Sequence, residues 1–463
     1  MSATRRTAWM LAPWILAMCV PCAGQEARET DWKSRVTVVR AARMLDVRSG
    51  RITEDPHVWV ADGRIRAVYW PDEHSVPIEF GATYLDLGDV TLVPGLIDCH
   101  THLTGTLEGD FVHRSVHEGP ADAALRGARH ALLTLQAGFT TVRDLGSAGF
   151  ADVALMRAIE RGDVPGPRIV PAGHSIGISG GHGDETGFRP GILVGGPEQG
   201  IADGPDECRK AVRLQLNYGA KVIKCVATAG VLSFEPSVGA QQLSREELEA
   251  IVDEARRHGV KVAAHAHGAE GILAAVLAGV DSIEHGSLLD DRCIAAMKER
   301  GTYLVPTTYL ADAIDLANLP PPLREKAERI LPLARENLAK AIAAGVKIAY
   351  GTDAAVYPHG QNARELDVLV RLGMSPIEAI RSATVNAADL LGVDDRGEIA
   401  RGKLADLIAV PGNPLENVRA LEHVRWLMLG GRVVDLPAPA EPPAPGGRLT
   451  LPAVKEGTGS GKR

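Results

Sequence analysis

Val93-Pro-Gly-Leu-Ile-Asp-Cys-His-Thr-His102 runs from an apolar strand straight into a pair of imidazoles. It opens a stretch, reaching to about residue 390, in which short apolar strands alternate with amphipathic helices. That alternation is expected of parallel βα units, whose strands are buried on both faces and read as apolar runs. Strands are expected near Val93 to Asp98, Thr140 to Asp144, Arg168 to Ala172, Lys221 to Cys225, Lys261 to Ala266, Ser282 to His285, Thr302 to Pro306 and Lys347 to Thr352. Helices such as Ala121 to Ala137, Arg245 to His258, Glu270 to Leu277, Arg292 to Glu299 and Leu323 to Ala344 fill most of the gaps.

Eight such units in one run point to an α/β fold, a (β/α)8 TIM barrel over residues 93–393; periodicity also allows an open doubly wound sheet. On either side the character changes to short β-type runs. They include Val36 to Val39, His57 to Ala61, Arg64 to Tyr69 and Thr83 to Leu87 before the barrel, and Asp406 to Val410, Val424 to Leu429 and Arg432 to Val434 after it. These ends are expected to join as one small β-sandwich domain, residues 34–92 with 394–436.

The first 24 residues stand apart, with Arg5 and Arg6, an apolar run from Trp9 to Val20, and small Cys22-Ala23-Gly24 before Gln25. This is a secretory signal pattern, too short to span a bilayer, with cleavage expected near Gly24 and no stable membrane anchor. Export to the periplasm or beyond follows, by the general or the twin-arginine route. Four cysteines then remain, Cys99, Cys208, Cys225 and Cys293, and free buried thiols are expected of them. The Pro/Ala/Gly-rich tail 437–463 has few core-forming residues and is expected to be disordered.

The chain has 463 residues, 45% of them hydrophobic and 23% charged, enough for a large core and ordinary for a globular protein. Its net charge of -8 argues against nucleic acid or an anionic membrane as partner.

His100 and His102 alternate on one strand and share a face, where two imidazoles can clasp a metal. Lys224, His265, His285 and Asp353 fall at four other expected strand ends, so all would converge at one barrel mouth. The Gly/Pro-rich loop from His174 to Asp206, with Ser179-Gly-Gly-His182-Gly, would cover that mouth. Cys99 and Cys225 should face away from it and pack. The nine histidines other than these five and His267 have no comparable placement.

Asp98-Cys-His100-Thr-His102, Ile223-Lys224, Ala264-His265-Ala-His267-Gly268, Ile283-Glu-His285-Gly286, Gly351-Thr-Asp353 and Gly402-Lys-Leu-Ala-Asp406 closely resemble the metal-dependent amidohydrolase superfamily. The resemblance is strongest to the branch of Xaa-Pro dipeptidases, imidazolonepropionase-like proteins and ochratoxin-hydrolysing amidohydrolases. It implies two divalent metal ions, best suited to zinc, with manganese or cobalt as alternatives. His100, His102 and Asp353 would hold one, His265 and His285 the other, and Lys224 would bridge them as a carboxylated lysine. His265 and His267 compete for one ligand position, since both lie on one strand face; the family spacing favours His265 as ligand and His267 as a substrate contact. His182 resembles a loop histidine that reaches substrate. Asp353 would be both ligand and proton shuttle, with Lys224 as the second catalytic group, around a metal-bridging hydroxide.

The activity implied is cleavage of one amide bond in a dipeptide or N-acyl amino acid, ochratoxin A included. Opening of small cyclic amides or deamination is the alternative, and Lys224 counts against a deaminase. A non-catalytic metal-stabilised binding protein is a third reading, opposed by the full set of six ligand-type residues. The partner is then a small molecule or dipeptide; barrels of this kind often associate as homo-oligomers.

Overall fold

The structure is a computed structural model that describes residues 36–70, 77–235 and 237–436. The expected signal segment 1–24 and the tail 437–463 lie outside the described residues. In chain order the strands are β1 Thr37–Arg40, β2 Arg43–Asp46, β3 Arg51–Glu54, β4 His57–Ala61, β5 Arg64–Tyr69, β6 Thr83–Asp86 and β7 Val90–Pro94. Then come β8 Leu96–Thr101, β9 Phe139–Asp144, β10 Arg168–Pro171, β11 Ile223–Val226, β12 Val262–Gly268, β13 Ser282–Leu288 and β14 Tyr303–Val305. The last are β15 Leu407–Pro411, β16 Trp426–Leu429 and β17 Arg432–Val433.

The parallel strands β8 to β14 form two sheets, ordered β10-β9-β8 and β11-β12-β13-β14. Single backbone bridges continue the pattern, Ile176 to Cys225 between the two sheets and Leu304 to Ile348 beyond β14. Thr101 then bridges Ala354, and Cys99 N donates to Tyr350 O at 2.8 Å. The segment expected as the eighth strand, Lys347 to Thr352, therefore lies between β14 and β8 but is not a regular strand. Its path ends at Asp353, whose left-handed backbone (φ +57°) cannot continue a ladder. Phe139, fully buried on β9, stacks on Tyr350 with centroids 5.6 Å apart and so braces this segment from inside. Such a pair contributes about 0.5–1.5 kcal/mol beyond its buried area.

The run expected as one strand from Val93 to Asp98 is two. Val90–Pro94 pairs antiparallel with β15, with Val93 opposite Ile408, whereas Leu96–Thr101 pairs with β9. Gly95 makes the switch: a Cβ there would sit 2.2 Å from Thr140 Oγ1, so no larger residue lets the chain pass. The remaining strands form a four-stranded sheet, β5-β4-β1-β6, and a six-stranded one, β17-β16-β15-β7-β2-β3. Both ends of the chain contribute to the latter. Val39, Val58 and Ile65 from the smaller sheet pack with Leu92, Leu407 and Met428 from the larger in one buried cluster.

Ser244 Oγ accepts from Glu247 N while Glu247 Oε2 accepts from Ser244 N, a capping box that opens the helix Arg245–Arg257. Asp406 fastens the flanking sheets to β10, accepting a two-pronged contact from Arg168 at 3.2 Å and a bond from Gly430 N at 2.6 Å. Cys99, Cys208, Cys225 and Cys293 are all free and buried. No helix of the described residues is long and apolar enough to cross a membrane.

Candidate active site

The C-terminal ends of the parallel strands open into a cavity of about 800 Å³, the size of a site for a small organic molecule. His100, His102, His182, Lys224, His265, His267, His285 and Asp353 all line it, so the structure brings every expected site residue to one place. His100 Nε2 and His102 Nε2 approach the same oxygen, Asp353 Oδ1, at 3.5 and 3.4 Å. Two sets of ligand atoms lie within 4.8 Å of one another, one from His100, His285 and Asp353, the other from His265, His267 and His285. His285 belongs to both sets. The geometry thus keeps His267 beside His265 and does not separate the two.

Four of the histidines are oriented through Nδ1. His100 Nδ1 donates to Glu284 Oε2 at 2.8 Å, and His102 Nδ1 donates to the Gly146 carbonyl at 3.1 Å. With Nδ1 donating, both rings present an Nε2 lone pair to the cavity. His285 Nδ1 meets Thr307 Oγ1 and His267 Nδ1 meets Ser287 Oγ, both at 2.8 Å. His265 Nε2 is buried and has no hydrogen-bond partner. A buried imidazole nitrogen left without a partner is costly, and a cation is the partner this donor set fits.

Burial sets the protonation of the site. Loss of water holds His100, His265 and His285 well below the ordinary histidine range, His102 at about 4 and His267 at about 3. Neutral imidazole is the ligand form. Burial likewise lowers the Lys224 amine against the pull of Glu284 and Asp353, and raises the Asp353 carboxyl to about 7. Lys224 is 4% exposed and makes no ion pair among the described residues.

His182 reaches the site from the long loop after β10. Its ring lies 4.4 Å from that of His265, its backbone N–H donates to Gln242 Oε1 at 3.0 Å, and burial puts its pKa at about 4. The ring rests on bare backbone: a Cβ at Gly230 would stand 2.2 Å from His182 Cε1. His174, unplaced by sequence, also lines the cavity, but its Nε2 is occupied by Gly149 N at 2.9 Å.

Glu284 was not singled out by sequence. Strand alternation would turn it and His285 to opposite sides, but a left-handed backbone at His285 (φ +71°) breaks the alternation, and both serve the site. Glu284 Oε1 accepts from Arg143 Nη2 at 2.9 Å and from Ser282 Oγ at 2.5 Å, while its other oxygen orients His100. Both charges of the Arg143 pair are fully buried. The signal available was Arg143 and Glu284, charges set within two parallel strands. Glu284→Gln is expected to leave the Arg143 cation uncompensated and cost about 3–5 kcal/mol in denaturant unfolding. The same variant should weaken metal affinity by about 10–100-fold, read by competition with a chelator.

Over 371 residues the chain is 38% identical to an ochratoxinase of Aspergillus niger, covering 75% of this chain and 76% of that protein. An imidazolonepropionase of Idiomarina loihiensis is 26% identical over 81% of this chain and 90% of its own length. A solved Xaa-Pro dipeptidase with bound methionine in its active site superposes with a TM-score of 0.82 at 37% identity, over 86% of this chain and all of that one. The profile of the Amidohydrolase family matches residues 91–434. With the histidine-rich floor at the strand ends and this match over most of its length, the chain belongs to the amidohydrolase family and is a hydrolase acting on amide C–N bonds.

Proposed function

We propose that the chain is an exported enzyme with a two-metal centre that hydrolyses the single amide bond of Xaa-Pro-type dipeptides or N-acyl amino acids, ochratoxin A among them. The observation that carries this reading is the meeting of His100 and His102 on Asp353, opposite the partnerless His265 Nε2, on the floor of one cavity. His100, His102 and Asp353 would hold one ion, His265 and His285 the other, with zinc best suited, and Lys224 would join them as a carbamate. When bound, such ions polarise the scissile carbonyl and lower the pKa of a water.

The chain's own residues do the rest. Asp353 takes a proton from the attacking water as the new C–O bond forms, then delivers it to the leaving nitrogen as the C–N bond breaks. Asp353 Oδ1 faces the cavity where His100 and His102 converge, so its carboxylate is placed to serve both transfers. His182 and His267 contact the substrate beside its carbonyl. The apolar side of the cavity, with Val231, Leu232, Ile330 and Leu331, excludes water and takes up the acyl or side-chain group.

The same reading assigns residues 93–393 to a closed (β/α)8 barrel, supported by the bridges at Ile176, Ile348 and Ala354. It assigns 34–92 and 394–436 to a β-sandwich domain, supported by the apolar cluster its two sheets share. The signal pattern at 1–24 supports export to the periplasm or medium.

The test is hydrolysis of a panel of Xaa-Pro and other dipeptides, N-acyl amino acids and ochratoxin A by the metal-loaded protein. Metal content per chain is measured alongside. Amide cleavage that disappears on chelation and returns with zinc is the expected result. No cleavage of any amide by a preparation holding two ions would sink this reading in favour of ring opening.

A further inference from the structure

The helix Pro321–Ala343 lays an apolar stripe of Leu323, Ala327 and Ile330 against Val231. Within that stripe stands a charge: Lys326 is 6% exposed. Its ammonium donates to three backbone carbonyls of one loop, Gly230 at 3.1 Å, Glu235 at 3.0 Å and Ser233. Three donors meet three carbonyl acceptors, and the Glu235 carboxylate lies near enough to favour the charge. A buried ammonium is expensive to desolvate, so a lysine here works as a tie between loop and helix rather than as filling.

The loop so tied is the one on which His182 rests. Gly230 provides the bare surface under the imidazole, and its carbonyl is one of the three that Lys326 holds. Glu235, which supplies another, also accepts from Gln242 Nε2 at 3.4 Å, and Gln242 in turn accepts from the His182 backbone N–H. Val231 and Leu232 of the same loop line the cavity together with Ala327, Ile330 and Leu331 of the helix.

We propose that Lys326 is a positioning residue for the substrate cavity: by fixing residues 230–235 to the helix Pro321–Ala343 it seats the His182 ring and sets the apolar wall. This rests on the reading of His182 as a substrate contact. Lys326 touches neither substrate nor metal ligand, and acts only through the loop.

The experiment uses the full metal-loaded chain with Lys326→Met, Gly230→Ala and the double variant. Amide hydrogen exchange is followed over residues 228–242 and, as reference, over the strand Val262–Gly268. In Lys326→Met, exchange over 228–242 should quicken about tenfold or more while the reference strand keeps its protection. On an amide that the unaltered protein cleaves, KM should rise about tenfold with kcat within about threefold, the mark of lost substrate seating. Gly230→Ala should raise KM similarly, and the double variant should be little worse than either single one, because both act through His182. Unchanged exchange and KM would overturn the proposal, as would equal quickening of exchange in the reference strand or fully additive KM effects. If Lys326→Met does not fold, Lys326→Gln, which keeps two of the donors, takes its place under the same criteria. Should the unaltered protein cleave no amide, the function proposed above fails, while the exchange comparison still decides whether Lys326 fixes the loop.

Discussion

Lys224→Ala is expected to lower kcat/KM by at least about 10³-fold and to reduce bound metal from two ions per chain to one or none. Lys224 stands on the short strand β11, between the bridge to Ile176 on one side and β12 with its two histidines on the other. Under the proposed two-metal reading Lys224 would supply the bridge, since the two sets of ligand atoms share only His285 and one imidazole nitrogen cannot serve two ions. As an ammonium, Lys224 would instead repel cations; as a carbamate it offers two anionic oxygens. The lysine's measured mass in the intact protein should therefore carry one added carbon dioxide, lost on acid treatment. Metal content and rate equal to those of the unaltered protein in Lys224→Ala would reduce this residue to a structural cation facing Glu284 and Asp353.

Asp353→Asn should lower kcat by about 10²–10⁴-fold while leaving the fold intact. The backbone makes this a clean substitution. Asp353 has φ +57°, a conformation that asparagine tolerates better than nearly any other residue with a side chain. Asparagine also keeps an oxygen where Asp353 Oδ1 meets His100 and His102, so what it removes is the negative charge offered to an ion and the ability to accept and return a proton; metal content measured beside kcat separates the two. The melting temperature should change little and KM should stay near that of the unaltered protein. A variant that kept full kcat would transfer the proton role elsewhere, with His267 and His182 the next groups to test.

The βα alternation was legible because strands buried on both faces begin as apolar runs, as in β8 (Leu96-Ile97) and β12 (Val262-Ala263-Ala264), with their polar residues gathered toward the C-terminal ends. The convergence of His100, His102, Lys224, His265, His285 and Asp353 followed from their place at strand ends. Legibility failed where long-range contacts override local pattern. The break at Gly95 was signalled only by the Pro94-Gly95 pair inside an apolar run, and the contact that forces it, with Thr140, lies on another strand. Strands β2 and β3 are short and mix charges with apolar residues, so neither periodicity stands out. Glu284 carries a left-handed neighbour that no alternation rule anticipates, and its partner Arg143 lies on another strand. The seat of His182 on Gly230 joins two loops that share no motif.

The pairing of β7 with β15 has a bearing on the order in which the molecule is made. Val93 and Ile408 are opposite each other although about 300 residues separate them. A chain emerging from the ribosome presents β2, β3 and β7 long before β15 to β17 exist, and for that time β7 lacks its antiparallel neighbour. Closing so long a loop is slow, and an unpaired apolar strand invites association with other chains. Completion of the six-stranded sheet therefore has to wait until β15 to β17 are available. Fragments ending before Leu407 should accumulate as aggregates, however well their parallel strands have formed.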